Sequence, residues 1–473
     1  MMSKRAVASL LMLLCWSHAT AAASLSAAEA RKLLNDHGMP ENRAGLYIAP
    51  VDGNDEPISL NATQSFNPAS TIKLLPSLAA LELFSPAYQW STRVYTDGEL
   101  VDGGTLNGNL YIRGDGDPYL TVESAWSLLR AVRARGIGRI NGDLVVDDGV
   151  FKLPRFDRAA FDDKPHRIYN GPANALMVNF WAVQFTISAL ADRVHIDAFP
   201  GSRYLEIVNQ VKHSGERCRG GTRYVSYQAR ETNEAVVVTF SGTLSNRCPP
   251  VVIARAVIPT ERYLEYVLPG LWRDAGGILE GRVKRGVVPD GATNVYTHLS
   301  RPMAEIVRAT NKFSNNMMAR HLLLTLGKLN KERDVEIEDG VKVLEDWLLS
   351  RGIEVPGLNL DNGSGLSRDT RISATGMANV LRAGFYSPYG PEFLASLPIA
   401  GEDWALESRN FGQRNTSVRV KTGLIDHVRS MAGYITSGSG RTYIVVLLVN
   451  HPDVHRGLGT RLQNAVIRYV LDL

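Results

Sequence analysis

The chain changes character twice along its length, and this limits its folds more than any single motif does. From about Trp90 to Leu268 it is made of short strand-like runs, Ser91–Thr96, Leu106–Arg113, Asp143–Asp147, Arg193–Ala198 and Ala235–Ser241, separated by Gly, Asn and Asp. Two helices interrupt these runs, one of them near Val122–Arg135. Outside this region the apolar spacing lengthens to that of helices. Leu74, Leu75, Leu78, Leu81 and Leu83 mark an apolar helix, and Met303–Leu326, Val341–Arg351 and Ser373–Gly384 mark three more. Strands return at Ser417–Thr422, Ser430–Ser437 and Arg441–Asn450, the last two joined by the hairpin signal Gly438-Ser439-Gly440. Leu458, Leu462, Val466, Tyr469, Val470 and Leu473 line one face of a closing helix. The other face is mixed and not lysine-rich, which favours a core-facing helix over one lying on a membrane.

At 473 residues the chain exceeds one ordinary domain. The expectation is an α/β (α+β) protein in which residues 24–90 and 269–473 form one domain and residues 91–268 a β-rich insertion of two subdomains. Residues 1–23 read as a cleaved secretory leader: Lys4 and Arg5, an apolar run from Ala6 to Trp16, then small-x-small sites at Ala19–Ala23. That run is too short to span a bilayer, so an exported, periplasmic protein without a stable membrane anchor is expected. The mature chain keeps Cys218 and Cys248, an even pair that suggests a disulfide in an oxidising compartment. The formal charge is +4, without a basic block, which gives no support to nucleic-acid binding. The ten His residues are scattered, with no His-Glu-x-x-His or Cys-x-x-Cys spacing, so no metal is implied.

The chemistry is expected in Asn67-Pro68-Ala69-Ser70-Thr71-Ile72-Lys73. Asn67 and Pro68 suit a helix start, which places Ser70 in the first turn and Lys73 three residues on, upon the same face. A hydroxyl beside an amine at a helix N-terminus is the minimum equipment for serine acyl transfer. Ser-x-x-Lys alone arises by chance about once or twice in a chain of this length. Two further signals follow in order: Ser314-Asn315-Asn316 in a helical region and Lys421-Thr422-Gly423 closing a strand-like run.

Ser70-x-x-Lys73, Ser314-x-Asn316 and Lys421-Thr422-Gly423 resemble the three motifs of the serine penicillin-binding proteins and β-lactamases. The long interval between the first two, with Gly114-Asp115-Gly116-Asp117-Pro118, Asp361-Asn362-Gly363-Ser364-Gly365-Leu366-Ser367-Arg368 and Leu397-Pro398-Ile399-Ala400-Gly401, resembles the DacB-type class C members, the D-alanyl-D-alanine carboxypeptidase/endopeptidases of peptidase family S13. The resemblance implies a transpeptidase-like fold with a large insertion, no cofactor, peptidoglycan peptides as substrates and β-lactams as covalent inhibitors, and it leaves a homodimer open. It implies Ser70 as nucleophile, Lys73 as base, Ser314 as proton relay, Asn316 and Lys421 as catalytic partners, and Thr422, Gly423 and Leu424 along the substrate, with the Ser70 and Leu424 N–H groups at the oxyanion. It also implies a substrate-facing carboxylate at Asp147, toward the amine of a diaminopimelyl side chain. Ser364 and Ser367 read as shaping their loop. The chain departs from the family where Leu424 replaces a common hydroxyl residue and where Asp403-Trp404-Ala405-Leu406 stands for Asp-Gly-Thr-Leu. A β-lactamase or D-amino-acid esterase of the same fold, or a non-catalytic peptidoglycan-binding protein, are the alternatives.

Overall fold

A computed structural model describes residues 27–53, 55–218, 220 and 224–473, so the leader expected at residues 1–23 lies outside the described residues. The chain forms two compact units. The first takes the residues up to Tyr88 with Met303–Leu329 and Ile337–Leu473; the second takes Gln89–Pro302 with Asn330–Glu336.

The first unit is built on an antiparallel sheet drawn from both ends of the chain. Its strands are β1 (Ala44–Pro50), β2 (Ile58–Leu60), β3 (Val418–Ile425), β4 (Val428–Thr436) and β5 (Thr442–Asn450), in the order β2-β1-β5-β4-β3. β1 pairs with β5 from Ala44 opposite Val449 to Pro50 opposite Tyr443. Every residue of β1 is buried, as required of a strand covered on both faces. On one face Leu46, Ile48, Val420, Met431, Val445 and Leu447 share a core with Ala30 and Leu34 of a helix over residues 27–35, and with Leu462, Val466 and Val470 of the closing helix Leu458–Leu471. The stripe read from sequence thus faces the core, except at its end, where Leu473 is 39% exposed. The other face carries the helices α1 (Leu74–Phe84), α2 (Met303–Lys312), α3 (Asn316–Gly327) and α4 (Ala374–Phe385).

One expected element is two. Met303–Leu326 is not a single helix: α2 stops at Lys312 and α3 starts at Asn316. Ser314 in the gap has a left-handed φ of 54°. The Asn315 side chain accepts the Met318 N–H at 3.1 Å and so caps α3.

The second unit holds a five-stranded sheet in the order Val283–Arg285, Leu144–Asp147, Leu110–Arg113, Ser91–Thr96, Thr293–Leu299, together with a smaller four-stranded sheet. Two three-stranded sheets follow, centred on Val183–Ala189 and Val236–Ser245, with Phe185 packed on Phe240 at a ring separation of 5.0 Å. The unit runs past the Leu268 boundary expected from sequence because Thr293–Leu299 pairs with Ser91–Thr96. The expected strand Leu106–Arg113 is broken into Thr105–Asn107 and Leu110–Arg113. At the break a Cβ on Gly108 would lie 2.4 Å from the Gly98 Cα, so the two backbones meet where no side chain fits. Cys218 and Cys248 form a disulfide. Among the described residues no helix is long and apolar enough to cross a membrane.

The closing helix fixes the sheet that carries the third motif. Replacing fully buried Leu462 by Ala is expected to cost about 2–5 kcal/mol of unfolding free energy in chemical denaturation, whereas the same change at exposed Leu473 should cost well under half of that.

Candidate active site

Ser70 owes its position to a tight turn. The segment Ala69–Lys73 is a 3-10 helix, and α-helical geometry begins only at Leu74. Pro68 takes the cap position, while Asn67 acts one residue earlier, its side-chain oxygen accepting the Ala69 N–H at 2.9 Å. Residues three apart eclipse one another in a 3-10 helix. That stacking sets Lys73 Nζ 2.9 Å from Ser70 Oγ. The turn is strained at Ala69, whose φ is 43°, a conformation uncommon for a residue with a Cβ. It is pinned through the Pro68 carbonyl, which accepts the Thr71 hydroxyl at 2.8 Å and the Ser430 hydroxyl of β4. Asn67 is also held by reciprocal bonds with Asn450, at 2.8 and 3.0 Å.

Lys73 is fully buried. Besides Ser70 Oγ, its Nζ meets Asn316 Oδ1 at 2.8 Å and the Ser364 carbonyl. Burial, then the charge of Lys421, then that of Arg320, hold its pKa well below the ordinary 10.5. A neutral amine has two N–H bonds and one lone pair. Asn316 Oδ1 and the Ser364 carbonyl can only accept, so they take the two N–H groups, and the lone pair is left facing the Ser70 hydroxyl. This is the arrangement of a base aimed at its nucleophile.

The other two motifs meet at the same place. Lys421 is fully buried, and its Nζ donates to Ser314 Oγ at 2.9 Å and to the Thr422 carbonyl at 2.8 Å. Burial lowers its pKa to about 7. Gly423 permits the approach of β3 to the nucleophile: a Cβ there would stand 2.8 Å from the Ser70 nitrogen and 2.8 Å from the Pro68 carbonyl oxygen. β3 is an edge strand. The Val420 N–H donates away from the sheet to the Pro398 carbonyl at 3.0 Å. Leu424 lies two strand repeats further, so its N–H leaves by the same edge, on the side a peptide could approach. The Leu424 side chain is 52% exposed and shares a strand face with Thr422, opposite to that of Lys421 and Gly423.

The structure therefore brings Ser70, Lys73, Ser314, Asn316, Lys421 and Gly423 together. Asp147 has other partners in the second unit. Its side chain is fully buried, its oxygens accept from Arg333 Nη2 at 2.9 Å and Nη1 at 3.1 Å, and they also accept the Gly149 and Val288 N–H groups, both at 3.2 Å. Burial alone would raise its pKa, but these donors outweigh it and the net shift is downward. The Asp147 carboxylate, expected to face the substrate, thus has its donors within its own unit. Ser364 and Ser367 use their hydroxyls to shape their loop, by bonds to Asn362 and Leu366 and to Asp369 and Thr370.

Two contributors escaped the sequence reading. The Ser364 carbonyl left no trace, since any residue carries one. Arg320 did leave a signal: it lies four residues after Asn316 and so shares its face of α3.

The two lysines predict a pH profile with its sign fixed. The base must be neutral, so acylation by a β-lactam rises with pH as Lys73 loses its proton. The cation must be charged, so the rate falls as pH passes about 7, where Lys421 titrates. Lys421→Arg is expected to lower the plateau but to remove the alkaline limb, because a guanidinium does not titrate in that range. Second-order acylation rate constants between about pH 5 and 10 would check both.

The pattern of the D-Ala-D-Ala carboxypeptidase 3 (S13) family matches residues 26–467. A D-alanyl-D-alanine carboxypeptidase of Actinomadura sp. (strain R39) is 25% identical over 437 residues, covering 89% of this chain and 80% of that protein. D-alanyl-D-alanine carboxypeptidase DacB of Haemophilus influenzae is 26% identical over 421 residues, covering 87% and 86%. The crystal structure of penicillin binding protein 4 (dacB) from Haemophilus influenzae has the same fold, with a TM-score of 0.76 and 23% identity over 94% of this chain and 99% of that one. A second structure of that protein, complexed with a β-lactam, gives a TM-score of 0.73 and 22% identity over the same shares. Sequence match and fold agree from one end of the described chain to the other, and the protein belongs to the D-Ala-D-Ala carboxypeptidase 3 (S13) family.

Proposed function

We propose that this protein is a serine-type D-alanyl-D-alanine carboxypeptidase and endopeptidase that cleaves peptidoglycan stem peptides and their cross-links through an acyl-enzyme. The observation that carries the reading is Lys73 Nζ, buried, 2.9 Å from Ser70 Oγ, with its other two bonding directions occupied by oxygens that can only accept.

The steps follow from the geometry. Ser70 Oγ attacks the carbonyl carbon of the penultimate D-Ala, and its proton passes to Lys73 Nζ. The carbonyl oxygen becomes negative between the Ser70 and Leu424 N–H groups, where fixed donors stabilise it. The departing amine takes a proton through Ser314 Oγ, which Lys421 Nζ holds at 2.9 Å. The peptide C–N bond breaks, leaving an ester on Ser70, and water then restores the hydroxyl. With free D-Ala as the leaving group this is carboxypeptidase action; with a diaminopimelate amine it is cross-link cleavage. A β-lactam enters by the same attack and remains as a slowly hydrolysed ester. The expected leader at residues 1–23 and the Cys218–Cys248 disulfide both support a periplasmic location.

Fluorescent penicillin is expected to label the protein covalently and to leave Ser70→Ala unlabelled. Mass spectrometry of defined muropeptides should show release of D-Ala and conversion of cross-linked dimers to monomers by the parent alone. Rapid multiple-turnover hydrolysis of penicillin would instead identify a β-lactamase, and labelling that survives Ser70→Ala would leave a binding protein without this chemistry.

A further inference from the structure

Ser314 has a demanding position. It is held in a three-residue gap between two helices, in a left-handed conformation with φ 54°, and its hydroxyl must stay within reach of Lys421. A residue with a Cβ stays in that region only where its surroundings fix it. On the α3 side the Asn315 cap does so, together with the Asn315 N–H donating to the Thr310 carbonyl at 3.1 Å. On the α2 side the last helical residue, Lys312, is buried and donates to Asp403 Oδ2 at 2.6 Å. The same oxygen accepts the Ile399 N–H at 2.8 Å. Ile399 in turn forms an antiparallel bridge with Arg419, and the flanking bonds, Val420 N–H to the Pro398 carbonyl at 3.0 Å and Ala400 N–H to the Val418 carbonyl at 3.2 Å, fasten this loop to β3 just before Lys421.

The Ser314 turn is therefore tied to the Lys421 strand twice. One tie is Ser314 Oγ itself; the other runs from Lys312 through Asp403 and Ile399. We infer that Lys312 and Asp403 are positioning residues, whose ion pair sets the spacing between Ser314 Oγ and Lys421 Nζ and with it the delivery of a proton to the leaving amine. The side chains are only 6% and 21% exposed, so water competes little for the pair and it is stiffer than a surface ion pair. The two residues are 91 positions apart, and neither belongs to the three motifs. The inference rests on the reading of the site as an acylating one.

Lys312→Met and Asp403→Asn test it, with Lys312→Arg as the conservative control. The expected result is a fall of about 10–100-fold in kcat on a D-Ala-terminated peptide, with KM changed by less than about 3-fold, since a small displacement of a reacting group costs rate more than binding. Lys312→Arg should restore most of the loss. The pH profile should move as well. The Ser314 oxygen favours the charged form of Lys421, so loosening it shifts the alkaline limb to lower pH, which a purely structural role would not do. Far-ultraviolet circular dichroism checks folding, and Asp403→Asn, nearly isosteric, keeps the test open should Lys312→Met fail to fold. Parental kcat in the folded variants, or a loss of rate with an unmoved alkaline limb and no rescue by Arg, would overturn the inference while Ser70-dependent labelling of the parent still stood. A parent that penicillin does not label would sink the reading of the site and this inference together.

Discussion

The site depends on keeping one amine out of water. Lys73 has no exposure, so its ammonium form loses hydration that the protein does not fully replace, and the group gives up its proton more readily than a solvated lysine. Lys421 and Arg320 add to the effect, because a third positive charge beside two others is unfavourable in a poorly screened interior. A neutral lysine can then do what a charged one cannot, which is to accept a proton from a serine 2.9 Å away. The burial of Lys421 completes the arrangement. Its ammonium is only moderately acidified, to a pKa of about 7, so near neutrality the two lysines can hold opposite protonation states.

Three local features of the fold serve this site. A regular α-helix from Ala69 would not eclipse residues 70 and 73; the 3-10 turn does. A continuous helix from Met303 to Leu326 would turn Ser314 along with its neighbours; the gap between Lys312 and Asn316 lets it reach Lys421 while Asn316, already in α3, reaches Lys73. A residue larger than Gly at 423 would push β3 away from the Ser70 nitrogen. Among the non-glycine residues with positive φ, Ala69 and Ser314 lie at the site, one next to a reacting group and the other itself one, where strain is expected to be retained.

The motif residues were legible in the sequence because acyl transfer restricts chemistry at fixed spacing: a hydroxyl and an amine three apart, a second hydroxyl two before an amide, a lysine ahead of a glycine. The strands of the first unit and the core-facing closing helix were legible too, since their apolar spacing is local. The split helix was missed because its apolar pattern runs on through Ser314, and only Asn315, a good cap, marked the break. The Asp147–Arg333 pair was not legible, because Arg333 stands 186 residues away and no local pattern announces such a pair. The carbonyl of Ser364 and the Lys312–Asp403 pair were out of reach for the same reason: one is backbone, and the other joins segments that only the folded chain brings together.

The most direct test of the central claim is the protonation state of Lys73 itself. With lysine side chains labelled with nitrogen-15 and the Lys73 signal assigned by its loss in Lys73→Met, an NMR titration reports when the amine gains a proton. An amine that takes up its proton only well below the ordinary 10.5 is the predicted result. A Lys73 that remains an ammonium up to about pH 9 would contradict the account, since no base would then stand beside Ser70.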